Sequence, residues 1–324
     1  MHLYAAMRGG LLVADEDGTS EIRLEDHDLE CVAATPAHVF CGTFDSGLFR
    51  SDDGGKTFHS VGSETIRESV MSLAIDPTDS ETVWVGTEPS RVYRSEDGGE
   101  SWERRDGLTD LPSEPNWSFP PRPHTHHVRW IEPDPNDPQH LYVGIEAGAL
   151  VQTHDAGETW EDRVPDSRRD NHSLATHPDA PNCVWSAAGD GYAESVDGGE
   201  TWDYPQAGLD HRYCWSVAVA PDDPDTVLVS SATGPRTAHN ADSADSYIYR
   251  KRDGESWERL DELPTGEGVT RAVFAVEESA GELYAVSNRG IFRTEDDGTT
   301  WEELVLEWPT EFERQTARGL AVLP

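Results

Sequence analysis

The feature that most constrains this chain is a turn motif that recurs along its length. The motif is Ser/Thr-x-Asp-x-Gly-x-Ser/Thr followed by an aromatic residue, and each copy follows two apolar, strand-like segments. A copy one residue short spans 253–257, and a degenerate copy spans 14–20. Repetition of this kind predicts seven similar supersecondary units in one domain. The five complete copies end at Phe58, Trp102, Trp160, Trp202 and Trp301.

The residue types of the motif suit a tight, anchored turn. An aspartate side chain can accept hydrogen bonds from the backbone amides of its own turn, and glycine tolerates the positive φ that the turn requires. The closing aromatic residue is large enough to anchor the turn against a neighbouring sheet. We therefore assign a structural role to the aspartates of the six best copies, which are Asp53, Asp97, Asp155, Asp197, Asp253 and Asp296.

Over nearly its whole length the chain resembles the superfamily of Asp-box, or BNR, repeat proteins. That superfamily includes sialidase-like, sortilin-like, photosystem II assembly-factor-like and other WD40/YVTN/BNR-like proteins, together with xyloglucan-type glycoside hydrolases. The resemblance implies an all-β fold, a seven-bladed β-propeller with four-stranded antiparallel blades. Because the members differ in activity, the resemblance implies the fold and leaves the function open.

The two ends of the sequence predict how the ring closes. The first unit starts directly at its second strand, around residues 3–6, whereas the strand-like segment 317–322 has no unit after it. We expect the C-terminal strand to complete the N-terminal blade, which then consists of residues 1–27 and 315–324 within a single domain spanning 1–324. Such closure removes the open sheet edges that promote aggregation.

The charge of the chain limits its environment and its partners. The formal net charge is −38, and Lys56 and Lys251 are the only lysines among 324 residues. The acidic residues are spread evenly and 11 tryptophans accompany them, which argues against a disordered acidic tail. Such an acid-rich, lysine-poor chain resembles proteins of salt-accumulating haloarchaea, because concentrated salt screens the self-repulsion. Phosphate contacts need a basic face, so nucleic acid is excluded as a partner.

The lack of a recognisable targeting signal and the spacing of the cysteines favour an intracellular location. The N-terminus has no positively charged region followed by an apolar one, and no apolar run is long enough to span a bilayer. No CxxC pair occurs, so buried reduced thiols are expected at Cys31, Cys41, Cys183 and Cys214. We expect a monomer in the cytoplasm of a halophile, with no membrane partner.

The strand order of a blade divides the loops between two rims. In an antiparallel meander of four strands, the motif turns and the Pro-containing turns lie on one rim. The loops between second and third strands lie on the other rim, together with the connections between blades. That second rim also receives two irregular insertions, at about 103–125 and 232–246. Variable loops on a rigid scaffold usually carry function, so we predict the functional site there.

Aligning the seven inner strands on their closing turns predicts a binding ring at the channel mouth. The column nearest the second rim is largely polar or aromatic where packing alone would favour apolar residues. Arginine and histidine gathered in so acidic a protein favour a small anionic ligand or a carbohydrate. The column is Glu30, Met71, His127, His172, Trp215, Ala272 and Arg318, and nearby loops add His124, His126, Glu146, Arg169, Asp170, Arg212, Tyr213, Arg236 and Arg271.

Three functions are compatible with these residues. The first is a pocket that binds a carbohydrate or a small anionic ligand. The second is a glycoside hydrolase or polysaccharide lyase in which His127 and His172 transfer protons and Glu30 or Glu146 supplies the carboxylate. The third is a non-catalytic assembly or protein-interaction propeller, with the apolar segment 117–121 either as a docking patch or as a lid over the pocket.

A comparison with the sialidase active site limits the enzyme classes that the chain can belong to. The resemblance to sialidases implies an arginine triad with a Tyr–Glu pair and an early Arg-Ile-Pro motif. This sequence lacks Arg-Ile-Pro, and Arg212, Arg271 and Arg318 would have to form the triad without a Tyr–Glu pair, so a standard sialidase is excluded.

No compact metal-ligand spacing occurs in the sequence, and no cofactor is predicted. If a divalent metal binds, His127 and His172 are the expected ligands.

Overall fold

Seven small antiparallel sheets surround a central channel in the computed structural model, which describes residues 1–15, 18–252, 254–277 and 279–324. The prediction of an all-β, seven-bladed β-propeller is confirmed. Asp253, one of the six predicted turn aspartates, lies outside the described residues. Blade 1 begins with β1 (His2–Met7), β2 (Gly10–Asp15) and β3 (Ser20–Arg23), and blade 2 contains β4 (Leu29–Ala34), β5 (Val39–Thr43), β6 (Gly47–Ser51) and β7 (His59–Val61).

The next three blades differ in their outer edges. Blade 3 contains β8 (Ser69–Asp76), β9 (Asp79–Glu88), β10 (Val92–Ser95) and β11 (Glu103–Arg105). In blades 4 and 5 the fourth strand is reduced to single bridges, Gln152 with Glu161 and Glu194 with Asp203, and a proline follows each bridge closely. Blade 4 contains β12 (Val128–Asp134), β13 (Asp137–Ile145) and β14 (Ala149–Thr153), and blade 5 contains β15 (Asn171–Ala175), β16 (Val184–Ala188) and β17 (Gly191–Ser195).

The last two blades complete the ring. Blade 6 contains β18 (Tyr213–Ala220), β19 (Asp223–Ala232), β20 (Asp245–Lys251), β21 (Glu258–Leu260) and β22 (Gly266–Glu267). Blade 7 contains β23 (Val273–Glu277), β24 (Glu282–Ser287), β25 (Gly290–Thr294) and β26 (Glu302–Glu303), and β27 (Ala317–Leu323) ends the chain. The helices in the described part of the chain are short: α1 (Pro235–His239) and 3-10 turns at Leu108–Asp110, Glu114–Asn116, Ala241–Ser243 and Thr310–Arg314.

The ring closes as predicted, because β27 pairs antiparallel with β1. Leu320 of β27 lies opposite Ala5 of β1, and both belong to a buried cluster that also contains Val286 of the last blade. The second strands are packed between neighbouring blades and buried on both faces, as shown by Leu141 and Tyr142 of β13, which lie on opposite faces and are fully buried. The hydrophobic core is therefore a ring of interfaces between blades.

The aspartates of the turn motifs bind their own turns. The Asp97 carboxylate accepts hydrogen bonds from the Ser101 amide at 2.8 Å, the Ser101 hydroxyl at 2.6 Å and the Ser95 hydroxyl at 2.8 Å. These hydrogen bonds stabilise the carboxylate and hold its pKa below the ordinary value. The same pattern recurs at Asp53, Asp155, Asp197 and Asp296.

Two expectations about the insertions and cysteines can be compared directly with the structure. The insertion predicted to begin at residue 103 begins after Arg105, because Glu103–Arg105 forms the outer strand β11. The four cysteines are unpaired; Cys183 is half-buried and the other three are buried. Within the described ranges, no helix has the length and apolarity needed to cross a bilayer.

Candidate functional site

A cavity of about 680 Å³ opens at one end of the central channel, on the rim away from the motif turns. Its volume lies within the range of small-molecule sites, about 300–1,000 Å³. Inner strands form its floor, and loops between second and third strands and between blades form its walls. We call it the mouth cavity; its lining includes Arg8, Asp28, Glu30, Phe44, Met71, Phe119, Arg122, His127, Arg129, Glu146, Asp170, Tyr213, Trp215, Arg236, His239 and Arg318.

Register shifts at equivalent places in six inner-strand ladders build the floor of this cavity. In each ladder the pairing skips one residue near the mouth, and a bulge of this kind turns the unpaired side chain away from its neighbours. Five of the six skipped residues line the mouth cavity, and the sixth, His172, packs against the Trp215 ring at 4.4 Å between centroids. The skipped residues are Glu30, Met71, Arg129, His172, Trp215 and Arg318.

The structure corrects one member of the predicted column. In blade 4 the position equivalent to Met71 is Arg129, and His127 precedes strand β12. The inner strand ends at the turn whose flanking residues Asp134 and Asp137 are paired, two residues beyond the Glu132–Pro133 turn assumed in the alignment. A shift of two residues preserves the alternation of faces, so the sequence pattern alone did not expose the error.

His127 is a buried charged group between two carboxylates. Its Nε2 lies 2.9 Å from Glu146 Oε2, and its Nδ1 lies 3.3 Å from Glu88 Oε2. Burial opposes the charged imidazolium, but the hydrogen bond to Glu146 and the adjacent Glu88 carboxylate outweigh it and raise the pKa of His127. Burial likewise opposes ionised Glu88, but His127 and Arg122 lower its pKa to about 2. The group is therefore an ion-paired network in the cavity wall.

Trp215 forms the centre of a stack of cationic and aromatic groups. The Arg271 guanidinium lies 3.7 Å from the ring centroid and that of Arg129 lies 4.7 Å from it. Arg271 is fully buried, and its Nη1 donates to the Ala317 carbonyl at 2.5 Å. Cation–π contacts strengthen when water is excluded. Arg271, predicted as a ligand-binding residue at the mouth, instead supports the floor from beneath Trp215.

A relay of hydrogen bonds orients the Tyr213 hydroxyl. Arg271 Nε donates to His239 Nδ1 at 3.1 Å, and burial together with the Arg271 charge holds the pKa of His239 well below its usual value. Neutral His239 therefore carries its proton on Nε2 and donates it to Tyr213 Oη at 3.0 Å. Burial raises the pKa of Tyr213, so its own hydroxyl proton is available to donate into the mouth cavity.

Three side chains converge beside the cavity between blades 4 and 5. His172 Nε2 lies 3.9 Å from Glu146 Oε1 and 3.9 Å from Asp170 Oδ2. Burial resists ionisation of Glu146, but the hydrogen bond and positive charge of His127 depress its pKa. The pKa of Asp170 is raised by burial and by the neighbouring Glu146 charge, although His172 opposes the shift.

The remaining charged groups of the cavity are mostly paired. Arg318 donates to Glu30 at 3.1 Å, and Arg8 donates to both oxygens of Asp28 at 3.1 Å. Arg236 of α1 is exposed, and no carboxylate of the described chain forms an ion pair with it. Arg236 is therefore a guanidinium in the cavity lining that is free to bind an anionic group.

Besides Arg271, four of the predicted ligand-binding residues lie outside the lining. His126 hydrogen-bonds Ser90 at 2.8 Å and lies edge-on to Trp117, so it positions the insertion. His124, Arg169 and Arg212 are exposed on the rim. Their contacts are peripheral: Arg169 donates to the Asn116 carbonyl at 3.0 Å and Arg212 to the Leu209 carbonyl at 3.4 Å.

Sequence reasoning missed functional neighbours that come from other blades. Arg122 makes a two-point ion pair with Glu88, at 2.6 and 2.5 Å, and its guanidinium lies 4.8 Å from the Phe44 and Phe119 ring centroids. No local pattern marks these residues. Arg129 was detectable, because the sequence alignment placed it in the column of Leu73, whose other members are apolar.

Sequence comparisons find limited likeness to known proteins. No protein-family model matches the chain. A xyloglucanase from Hypocrea jecorina (strain QM6a) is 26% identical over 165 residues, which cover 50% of this chain and 18% of that protein. The match therefore spans less than a fifth of the length of the curated relative.

Comparisons with solved structures show the fold. An enzyme described as an ancestral GH74 enzyme superposes with a TM-score of 0.64 at 15% identity, over 93% of this chain and 40% of that chain. YCF48 bound to D1 peptide gives 0.59 at 16% identity over 90% and 91%. The RRP9 WD40 repeats give 0.60 at 9% identity over 93% and 82%. The chain thus has the β-propeller fold that GH74 enzymes, YCF48 and WD40 proteins share.

Proposed function

We propose that the mouth cavity binds a carbohydrate or a small anionic ligand, and that a sugar acid, which combines both characters, is the best fit. The observation that carries this proposal is the convergence of Phe119 and Tyr213 with Arg236 and Arg318 in one cavity of about 680 Å³. Aromatic faces pack against the apolar surface of a sugar ring, while guanidinium groups form two hydrogen bonds with a carboxylate.

The charge pattern supports an anionic group on the ligand. The chain has a formal net charge of −38, so acidic residues greatly outnumber basic ones. An arginine without an ion-pair partner is therefore notable in this protein. Arg236 lines the cavity and has no ion-pair partner among the described residues, whereas Arg8 is paired with Asp28 and Arg318 with Glu30. A ligand carboxylate at Arg236 forms a charge-assisted hydrogen bond without breaking an existing pair.

Calorimetric titration with D-galacturonate and D-glucuronate, with D-galactose and D-glucose as neutral controls, tests the proposal. Replacing Arg236 with glutamine removes the unpaired charge, and we expect the affinity for the sugar acid to fall about 5- to 50-fold. The titrations use the lowest salt concentration at which the protein stays folded, because salt screens the interaction.

Arg212→Gln provides the matched control, because Arg212 is also exposed but lies outside the cavity lining. Its affinity for the sugar acid should equal that of the unmodified protein. Equal affinity of Arg236→Gln and the unmodified protein, or no binding of any sugar acid, contradicts the proposal.

Proton transfer to a bound sugar is the second candidate function. The observation that favours it is the relay from Arg271 through His239 to Tyr213, which presents a hydroxyl donor to the cavity. The likeness to a xyloglucanase supports glycoside hydrolysis as the reaction class. Extended incubation with uronate-containing oligosaccharides separates the two functions: new reducing ends or an unsaturated product indicate catalysis, whereas unchanged oligosaccharide indicates binding alone.

Protein interaction is a third interpretation, suggested by the YCF48 structure with a bound D1 peptide. Here the aromatic residues of segment 117–121 face inward. Trp117 is buried and donates to the Ser113 hydroxyl at 3.0 Å, and Phe119 lines the cavity with Pro120 and Pro121. Segment 117–121 thus offers a cover for a small ligand more readily than a docking patch, and we favour the sugar-acid pocket.

A further inference from the structure

We propose that Glu146, Asp170 and His172 form a binding site for one divalent transition-metal ion in the wall of the mouth cavity. One nitrogen and two carboxylate oxygens, one from each residue, lie within 4.8 Å of one another. An imidazole with two carboxylates is a ligand set found for zinc and manganese, and three protein ligands leave a position open for water or substrate.

The buried imidazole of His172 provides the decisive observation. Its side chain is fully buried, and its Nδ1 lies 2.6 Å from the Cys214 carbonyl oxygen. A carbonyl can only accept a hydrogen bond, so Nδ1 carries a proton, and Nε2 is the nitrogen whose lone pair can bind a metal ion. That Nε2 has no hydrogen-bond partner among the residues that the structure describes. A backbone carbonyl on the second nitrogen is the usual arrangement behind a metal-bound histidine.

The spacing around Nε2 fits a metal ion better than a shared proton. Both carboxylate oxygens lie 3.9 Å from Nε2, beyond the reach of a hydrogen bond. A protonated imidazole would draw a carboxylate to about 2.8 Å. Ligand atoms that share one ion through bonds of about 2.1 Å lie roughly 3–4 Å apart. The two distances from Nε2 fall within that range.

Each ligand is held by its other polar atom. Glu146 Oε2 is bound to His127 at 2.9 Å, which leaves Oε1 facing the cluster, and Asp170 Oδ1 accepts from the Ala147 amide at 2.8 Å, which leaves Oδ2. Gly189 makes room for this carboxylate, because a Cβ at that position would collide with Asp170. Hydrogen bonds to the metal ligands from surrounding residues orient those ligands and raise the affinity for the metal ion.

The site accounts for His127 differently from the sequence prediction. His127 and His172 were the expected ligands, but both nitrogens of His127 face the carboxylates of Glu146 and Glu88. His127 therefore positions Glu146 instead of binding the ion. Glu146 and Asp170 line the mouth cavity, so an ion has a path from solvent to the cluster.

Titration of the full chain with Zn²⁺ after dialysis against a chelator tests the site, with Co²⁺ absorption as a spectroscopic readout. We expect one ion per chain, visible-range bands of protein-bound Co²⁺, and a rise in the thermal midpoint with Zn²⁺ concentration. Asp170→Asn and His172→Gln should each weaken Zn²⁺ binding by at least about tenfold. No sugar is present, so this result is independent of the sugar-acid proposal.

Asp134→Asn is the matched control, because Asp134 lies 3.4 Å from His140 but belongs to no cluster of three potential ligands among the described residues. It should bind Zn²⁺ like the unmodified protein. If the unmodified protein binds no ion stoichiometrically, or if both ligand variants keep its affinity, the metal site is wrong. Should His172→Gln fail to fold, Asp170→Asn and the Co²⁺ spectrum of the unmodified protein decide.

Discussion

Three histidines near the mouth cavity have different hydrogen-bond and charge partners. His127 lies between Glu88 and Glu146 and has a raised pKa, whereas His239 lies beneath Arg271 and has a lowered one. His172 keeps its proton on the nitrogen that faces a carbonyl. At this scale the chemistry of a side chain follows from the few atoms that touch it, which come from other blades.

A prediction at the residue scale concerns Glu132, which is half-buried at the far end of β12. Burial raises its pKa to about 7, against hydrogen bonds from Trp130 at 2.8 Å and Thr176 at 2.9 Å, and the Asp134 charge adds to the rise. Between about pH 4.5 and 7 the folded state therefore binds more protons than the unfolded state, so this group lowers stability as pH rises.

Glu132→Gln removes that titration. We expect the free energy of unfolding of the variant, relative to the unmodified protein, to be higher at pH 8.5 than at pH 5 by about 1–3 kcal/mol. Denaturant unfolding at constant salt measures the difference. Glu303→Gln, on an exposed edge strand, should show no such change. An equal difference at both pH values would contradict the assignment.

At the scale of elements, the recurring register shift of the inner strands matters most. It places a residue of variable type at the same height in successive blades, where packing no longer demands an apolar side chain. Strand pairing continues on both sides of the skipped residue, and the skipped side chains form the polar floor of the mouth cavity. Sequence alignment located most of these positions, and it failed by two residues in blade 4 because the period of a strand is two.

The closing strand β27 supplies the prediction at this scale. Leu320 is 8% exposed and joins the cluster between the first and last blades, so Leu320→Ala should lower the free energy of unfolding by about 2–4 kcal/mol. Val305→Ala is the control, because Val305 is 91% exposed and should change stability by less than about 0.5 kcal/mol. Equal effects of the two substitutions, measured by denaturant unfolding, would contradict a stabilising role for closure.

At the scale of the whole molecule, the net charge of −38 sets the conditions for folding. Self-repulsion of a compact acidic protein is strong at low ionic strength and is screened over about 3 Å at 1 M salt. We expect the thermal midpoint to rise as KCl increases from millimolar concentrations and to level off near molar concentrations, where screening is nearly complete. Sucrose is the non-ionic control, and it should not reproduce the plateau that screening predicts. A midpoint insensitive to KCl would show that the charge distribution does not limit stability.

The sequence by itself determined the architecture, because the fold depends on features repeated in nearly every blade. The turn aspartates, the glycines and the apolar strands recur, so a degenerate copy can be recognised from its spacing relative to the intact copies. The unpaired strands at the two ends then left one economical way to close the ring, and β27 pairs with β1 accordingly. Repetition makes such a fold readable without knowledge of long-range contacts.

The tertiary structure alone decided which polar residues meet. Arg122 and His127 form the wall with Glu88, and Arg271 lies beneath Trp215, although Glu88 and Arg271 are far from these partners in the sequence. A difference of about 1 Å separates a charge-assisted hydrogen bond from the wider gap around His172 Nε2. Such distances depend on how the blades pack against one another, which no repeated motif encodes, and so the site emerged only from the folded ring.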